Sequence, residues 1–515
     1  MLSHRSAPTM LAACALVSPI PAQVFGPQLQ LATIPNSVNV VRAADLDGDG
    51  DADVVLSGAN FTARISWSEN LGGGTFGPPS TITLAVSLPQ DLHVTDVDGD
   101  GDPDLLSASF FDDKIAWYAN DGSGSFGPQQ ILSLSTNGAL SVHTADLDGD
   151  GDPDVVAAGR FGNEIVTFEN LGGGSFGPKV VVSSGSAIDP TDVLPSDLDG
   201  DGDPDLVVSE FNSGQIAWYE NLGSGSFGPE RVISTLASGA VNVEAADLDG
   251  DGDVDVLSAS SSNNTVAWYE NLGGGSFGPQ QVLSAAAIGA AAVAAEDLNG
   301  DGNPDVLFAS SGDDTVAWFE NLGAASFGPQ QRISIQVDTA VDVTAADLDG
   351  DGDPDVLAAA PGNREAVWFE HQGLGAPFCR PAAMNGAGLV GKLAARGSTN
   401  VAINALTLEA SDLPPSNFAV FLTSPNEAVA VRPPNSVGNL CLGAPIGRYV
   451  GPGQIQPTGP QGFAALRIDL GRTPTPTGFV QIQPGETWSF QCWYRDSVLG
   501  MATSNLTDGV SVEFR

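Results

Sequence analysis

The chain has 515 residues, 42% of them hydrophobic, and carries 63 acidic against 18 basic residues for a net charge of −45. The apolar content is ample for a packed core, and 63 Gly with 35 Pro suit many short strands joined by tight turns. A surface this anionic repels phosphate backbones and acidic lipid headgroups, so neither nucleic acid nor a membrane surface is an expected partner.

Residues 1–22 read as an export signal. His4 and Arg5 form a weak basic start, Met10 to Val17 a short apolar segment, and Ala22 a small residue before the cut. The protein is therefore expected outside the cytoplasm, secreted or at the cell surface or periplasm. Leu11-Ala12-Ala13-Cys14 also matches a lipoprotein cleavage box, although the segment before it is short and contains Pro8. The longest later apolar run, Ala285 to Ala295, falls far below the ~20 residues needed to cross a bilayer, so no transmembrane segment is expected.

From residue 23 to 372 the chain repeats. Of the 63 acidic residues, 33 lie in seven nine-residue stretches that begin at Asp45, Asp96, Asp146, Asp197, Asp247, Asp297 and Asp347, at intervals of 50 or 51 residues. Such a period over seven copies means a repeat architecture. Within each repeat four short β-branched runs alternate with turns. In the third, Ser141 to Ala145 enters the acidic loop, Val155 to Ala158 leaves it, Glu164 to Phe168 follows a polar turn, and Phe176 to Val182 follows Asn170-Leu171-Gly172-Gly173-Gly174-Ser175. Four strands per ~50 residues is the pattern of a propeller blade. A Phe-Gly-Pro strand occurs seven times, from Phe25 to Phe327, and the first copy precedes the first acidic loop, while the last repeat stops after Trp368-Phe369-Glu370 without one. The strand beginning at Phe25 is thus expected to complete the seventh blade and close the ring, which removes an exposed sheet edge. The fold class read from these patterns is all-β: a seven-bladed propeller closed by its N-terminal strand, then a small β-sandwich-like domain.

Each acidic loop offers hard oxygen donors at fixed spacing. In the first, Asp45, Asp47, Asp49, Asp51 and Asp53 stand at positions 1, 3, 5, 7 and 9, with Gly50 at position 6 for the sharp turn, which reproduces the front of an EF-hand loop. Position 7 ligates there through its backbone carbonyl. The same positions are Asp96, Asp98, Asp100, Asp102 and Asp104 in the second loop, and Asp146, Asp148, Asp150, Asp152 and Asp154 in the third. They are Asp197, Asp199, Asp201, Asp203 and Asp205 in the fourth, and Asp247, Asp249, Asp251, Asp253 and Asp255 in the fifth. The sixth departs, with Asp297, Asn299, Asp301, Asn303 and Asp305; the seventh is Asp347, Asp349, Asp351, Asp353 and Asp355. With no His or Cys nearby, the donor set points to Ca2+, about seven structural ions, and four carboxylates drawn into one short loop would repel strongly without a cation. The sixth site, one ligand charge short, is expected to bind most weakly.

The Phe-Gly start and the Asp-x-Asp-Gly-Asp-Gly-Asp-Pro-Asp loop resemble the FG-GAP/VCBS repeats, the family that includes the integrin α-subunit propeller, over about residues 24–372. The resemblance implies a seven-bladed propeller with calcium in the blade hairpins, held by Asp96, Asp98, Asp100, Asp102 and Asp104 and by their equivalents. The Gly-Ala-Pro triplet of the family is mostly replaced, as by Ser107-Ala108-Ser109, so the resemblance implies no integrin-like ligand.

Antiparallel strands alternate direction, so the acidic loop and the Gly-rich turn of every blade share one face. The turns on the opposite face vary, and variable loops on a rigid scaffold are where binding usually resides. Phe61 and Arg64, Phe110 to Lys114 including Phe111, Arg160 and Phe161, and Phe211 fall there, and Phe61, Arg64, Phe111, Arg160, Phe161 and Phe211 are the candidate ligand-binding residues. Gly172 to Gly177 contains both G-x-G-x-x-G and G-x-S-x-G, but Pro178 and a strand follow where either motif needs a helix. His93 and His143 precede their loops by three residues, where other blades carry Arg42, Leu194 or Ala294, and read as strand variation. Trp67, Trp117, Trp218, Trp268, Trp318 and Trp368, with Phe168 in the third blade, read as inter-blade core.

Residues 373–378 form a linker and 379–515 a second domain. Alternating runs at Ala402 to Leu408, Phe418 to Leu422, Ala464 to Leu470, Thr487 to Tyr494 and Val510 to Phe514 suggest a small β-sandwich. Phe378-Cys379, Asp412 to Pro415 and Trp493 to Asp496 look similar to a C-terminal module of secreted bacterial proteins. Of Cys379, Cys441 and Cys492, one pair can bridge in an oxidising compartment, and the sequence leaves open which.

The function expected is that of a non-catalytic extracellular binding or adhesion protein, a monomer whose ligand is a glycan or a protein. The alternatives are a polysaccharide-active enzyme on a propeller scaffold and a structural cell-surface component.

Overall fold

The computed structural model describes residues 25–33, 37–59, 63–184, 189–350, 352–371 and 376–378, and residues 385–514 apart from 386–388, 398–400, 402–403, 405, 412, 432, 434–435, 437–438, 460–461 and 499–500. The expected leader 1–22, linker residues 373–375, Phe61, Asp351 and Cys379 lie outside the described residues.

Up to residue 371 the described residues form four-stranded antiparallel sheets, seven in all, numbered here in chain order. In the first, Ser37–Ala44, Asp53–Ala59, Arg64–Ser68 and Ser80–Thr83 pair in that order. The next five sheets repeat this plan. In the last, Asp342–Ala346, Asp355–Ala360 and Glu365–Phe369 take Leu29–Thr33 as their fourth partner, with Leu29 opposite Trp368 and Thr33 opposite Glu365. Phe25 also bridges His371, as Phe76 bridges Asn70 in the first sheet.

The strand that leaves each acidic loop is covered on both faces. All six residues of Asp104–Ser109 are buried, and so are those of Asp154–Gly159. Such strands read as continuous apolar runs because a sheet packs against each side. The core accordingly lies between neighbouring sheets. Val40, Val55, Ile65 and Trp67 of the first pack with Leu92, Leu105, Ala116 and Tyr118 of the second, and Val41, Val54 and Leu56 of the first pack with Leu348, Leu357 and Trp368 of the last. The tryptophans are buried as expected, and each of several lies under a glycine of the following sheet. A Cβ on Gly124 would stand 2.2 Å from the Trp67 ring, and one on Gly174 would stand 2.4 Å from Trp117.

Beyond residue 375 a second all-β unit follows. A six-stranded sheet contains Ala376–Phe378, Met501–Glu513, Thr487–Val498, Phe418–Ser424 and Gly447–Arg448 in that order, with Ile455–Pro457 also paired to Phe418–Ser424. Lys392–Gly397, Leu406–Ser411 and Ala464–Ile468 form a three-stranded sheet, and both sheets contribute to one core that includes Leu408, Phe421, Leu466, Phe490 and Tyr494. The apolar runs located four of these strands to within a few residues; Lys392–Gly397 has too weak an alternation to stand out. Leu470–Arg472, a single 3-10 turn, is the one helical element among the described residues. Cys441 is disulfide-bonded to a partner outside the described residues, and Cys492 is the free thiol, buried, its pKa pushed up by that burial.

Candidate functional site

Each acidic loop is a hairpin folded around its own carboxylates. In the second, Asp96 Oδ1 accepts Gly99 N at 2.8 Å and Oδ2 accepts Gly101 N at 2.9 Å, while Asp100 Oδ1 accepts Asp102 N at 3.0 Å. Gly99 and Gly101 take φ of +77° and +97°, which a residue with a Cβ adopts only at a cost. Asp104 is buried and accepts Val97 N at 3.0 Å and Asn120 N at 2.7 Å, one on each oxygen. The first, third, fourth and fifth loops repeat these contacts, and in the seventh Asp355 accepts Leu348 N and His371 N; in the sixth, Asp297 Oδ1 accepts Asp301 N at 3.0 Å.

The geometry brings positions 1, 3 and 9 together. Carboxylate oxygens of Asp45, Asp47 and Asp53 lie within 4.8 Å of one another, as do those of Asp96, Asp98 and Asp104, of Asp146, Asp148 and Asp154, and of Asp197, Asp199 and Asp205; in the fifth loop the trio is Asp247, Asp249 and Asp251. Position 7 points elsewhere. A Cβ on Gly122 would stand 2.5 Å from the Asp102 carboxylate, so that side chain lies against the Gly-rich turn, and Asp353 reaches the His371 ring at 3.5 Å. Asn120 joins neighbouring loops on one face by donating to Pro103 O at 3.0 Å in its own sheet and to Leu46 O at 2.8 Å in the preceding one.

Burial and mutual repulsion make these carboxylates reluctant anions. Burial pushes Asp53, Asp104, Asp154 and Asp255 up to about 6 and Asp205 up to about 7, against the backbone N–H groups that favour the charge. Asp47, Asp98, Asp199 and Asp249 are raised too, by burial first and by neighbouring aspartates. Two oxygens in these loops, Asp98 Oδ1 and Asp301 Oδ2, are buried with no hydrogen-bond partner. Orphaned carboxylate oxygens are costly, and an oxygen-seeking cation satisfies them, so the residues fit calcium. In the sixth loop Asn299 is 1% exposed and its Nδ2 has no partner, while Asp301 Oδ1 accepts from Asn303 N and Nδ2 at 3.0 and 2.8 Å.

On the opposite face the candidate residues gather in sheets two to four. Phe111 is 71% and Phe161 62% exposed. Phe110 contacts both, with ring centroids at 5.4 and 4.9 Å, and the Arg160 guanidinium lies over the Phe211 ring at 4.7 Å while its Nε donates to Asp189 Oδ1 at 3.0 Å. Sheets five to seven place Ser262, Gly312 and Gly362 where sheets two and three place Phe111 and Phe161. Arg64 begins the third strand of the first sheet opposite Gly58, and its Nε is buried without a partner.

A second polar centre, absent from the sequence reading, lies where the first strands of all seven sheets converge on a cavity of about 600 Å³. Arg42 binds Asp91 at 2.8 Å and Asp342 at 2.7 Å, and it donates to Leu92 O at 2.9 Å. Burial opposes its charge, but Asp342 and Asp91 outweigh that and push its pKa up. His143 Nε2 stands 3.8 Å from both Asp91 and Asp192, and its ring lies 5.1 Å from that of His93, whose pKa burial lowers to about 3. Asp91 accepts Val142 N, Asp192 accepts Val243 N and Asp342 accepts Val41 N, each joining one sheet to the next. The signal was present: polar residues recur five and three positions before the acidic loops. Only His93 and His143 draw notice in the sequence, as strand variation, because the sequence does not say which strand faces the axis.

An FG-GAP-like repeat model matches residues 45–107, 96–157, 146–208, 197–258, 247–308 and 297–358. None of the curated proteins matches the chain in sequence. Among solved structures, the BP39L lectin of Burkholderia pseudomallei is similar with a TM-score of 0.52 at 19% identity, covering 67% of this chain and 97% of its own. An Agrocybe aegerita lectin that recognises non-reducing terminal N-acetylglucosamine aligns at 23% identity and a TM-score of 0.45, over 59% of this chain and 82% of its own. Virginiamycin B lyase of Staphylococcus aureus aligns at 13% identity and a TM-score of 0.46, over 67% of this chain and 98% of its own.

Proposed function

We propose, for a chain that belongs to the FG-GAP-like repeat family and folds as a β-propeller, the role of a secreted, calcium-loaded, non-catalytic binding or adhesion protein. Its seven sheets are seven blades, and Leu29–Thr33 closes the ring. The oxygens at positions 1, 3, 5 and 9 of each acidic loop, with the carbonyl at position 7, hold the ion. Bound calcium supplies the positive charge that lets so many carboxylates share one face.

The observation that carries the binding role is the asymmetry of the opposite face. Among the described residues, Phe110, Phe111, Phe161 and Phe211 cluster with Arg160 on three neighbouring blades, and two of the rings are more than half exposed. Aromatic faces beside one polar group suit the faces of sugar rings, and a glycan is the ligand class we favour. A glycan array probed in millimolar calcium tests this, with specific binding expected for the wild type and loss in the F111A/F161A double variant. No binding to any glycan, or binding indifferent to both substitutions, overturns it.

One observation favours a second reading, a polysaccharide-active enzyme: His143 faces the axial cavity between two carboxylates. Turnover of a polysaccharide that is lost in H143A would establish it in place of the binding role.

A further inference from the structure

The axial cavity is unevenly charged. On one wall Arg42 is paired with both Asp91 and Asp342. Asp192, between the walls, is saturated by Ser141 Oγ, Asn242 Nδ2 and the amides of Val193 and Val243. On the other wall stands Glu244, whose only hydrogen bond among the described residues comes from its own neighbour, Ala245 N, at 3.0 Å. Glu296 joins it on that wall, and neither lies within salt-bridge reach of a described Lys, Arg or His. Burial is the main cause that raises the Glu244 carboxyl to about 7, and Asp192 and Glu296 add repulsion.

What surrounds Glu244 decides the kind of cation. A hard divalent ion requires six to eight oxygen ligands, or six in strict octahedral order. The lining keeps polar Asn242 and Glu296 close to Glu244, and the next sheet adds a carbon surface at Ala291, Ala292 and Ala294. That surface fits the uncharged body of an organic ligand, and the Glu244 carboxylate fits one ammonium. The volume, about 600 Å³, is that of a small-molecule site. A chain of net charge −45 also raises the local concentration of any cation.

We propose that the axial cavity binds a small organic cation, a primary amine whose apolar stem lies on the alanines of the sixth sheet and whose ammonium pairs with Glu244. This inference does not depend on the aromatic patch being a ligand site. Calorimetric titration with n-pentylamine tests it, on the full chain at calcium concentrations that saturate the acidic loops.

One molecule is expected to bind per chain, at least tenfold more weakly to E244Q. D121N, which removes an exposed charge from a rim turn, should leave affinity unchanged, and so should F111A/F161A. An E244Q variant that melts like the wild type shows that any loss is local. Three results overturn the proposal: no binding to the wild type, equal binding to E244Q, or several molecules bound per chain with D121N as damaging as E244Q. Stoichiometric displacement of the amine by further calcium also overturns it, since the site would then be one for an inorganic ion.

Discussion

Gly74, in the Gly-rich turn of the first sheet, lies directly against the Trp368 ring of the last: a Cβ placed on it would stand 2.6 Å from Cη2. Two residues nearly three hundred positions apart thus share one contact, and a φ of +66° at Gly74 is what lets the backbone approach so closely. G74A should cost about 3 kcal/mol, combining left-handed strain with overpacking. G73A, with a similar φ of +62° but open space around it, should cost only about 1 kcal/mol. Chemical denaturation measures both, and equal costs would mean that the ring contact is not formed.

Calcium should set the stability of the first unit. At a Kd of ~0.1 mM in ~1 mM calcium each site contributes roughly 1.4 kcal/mol, and seven approach ~10 kcal/mol, comparable with the stability of a whole domain. Chelation should therefore lower the melting temperature steeply, and a thermal melt that ignores EGTA would remove the ions from the account.

The sixth loop should fill last. Asn299 replaces a carboxylate at position 3, and its buried Nδ2 has no acceptor. N299D restores one ligand charge and should raise the affinity of that site by roughly tenfold. A calcium titration should resolve one weak site in the wild type and none in the variant.

Glu210 gives the protein a pH dependence of its own. It is 1% exposed, accepts from Ser213 Oγ at 2.6 Å and Gln215 Nε2 at 3.1 Å, and burial pushes it from 4.5 up to about 7. Because the folded value lies above the unfolded one, its contribution is fully present below pH ~4.5 and fades as pH rises through 7. E210Q, neutral throughout, should equal the wild type at about pH 4 and exceed it at pH 8 by on the order of 2 kcal/mol. A parallel pair of melting curves across that range would contradict the assignment.

Phe111 and Phe161, the rings proposed to meet the ligand, should not carry the fold. At 71% and 62% exposure, their removal should change the melting temperature by less than about 2 °C. A larger drop in F111A/F161A would make these rings structural.

The hairpin geometry of the acidic loops was legible because the carboxylates it gathers, at positions 1, 3 and 9 in the first four loops, lie within nine positions of one another and the glycines sit where the turn needs φ above zero. The strand runs and the tryptophans were legible for the same reason: their spacing follows from a local backbone period. Phe111 and Phe161 could be named as loop residues, but their union through Phe110, and the place of Arg160 over Phe211, required neighbouring sheets to be set side by side. Nothing local marked Arg42 as the partner of Asp91 and Asp342, or Glu244 as a carboxylate with no described cation in reach. Those pairings join positions 49 and 300 residues apart, and only the stacking of one sheet on the next turns their side chains toward a common axis. The disulfide followed the same rule: three of the four cysteines lie in the second domain, but which of them is bonded was decided by the packing that buried Cys492 as a free thiol. Chemistry held within one turn is written in sequence, whereas chemistry assembled across sheets depends on which face each strand presents, and that is fixed only when the core closes.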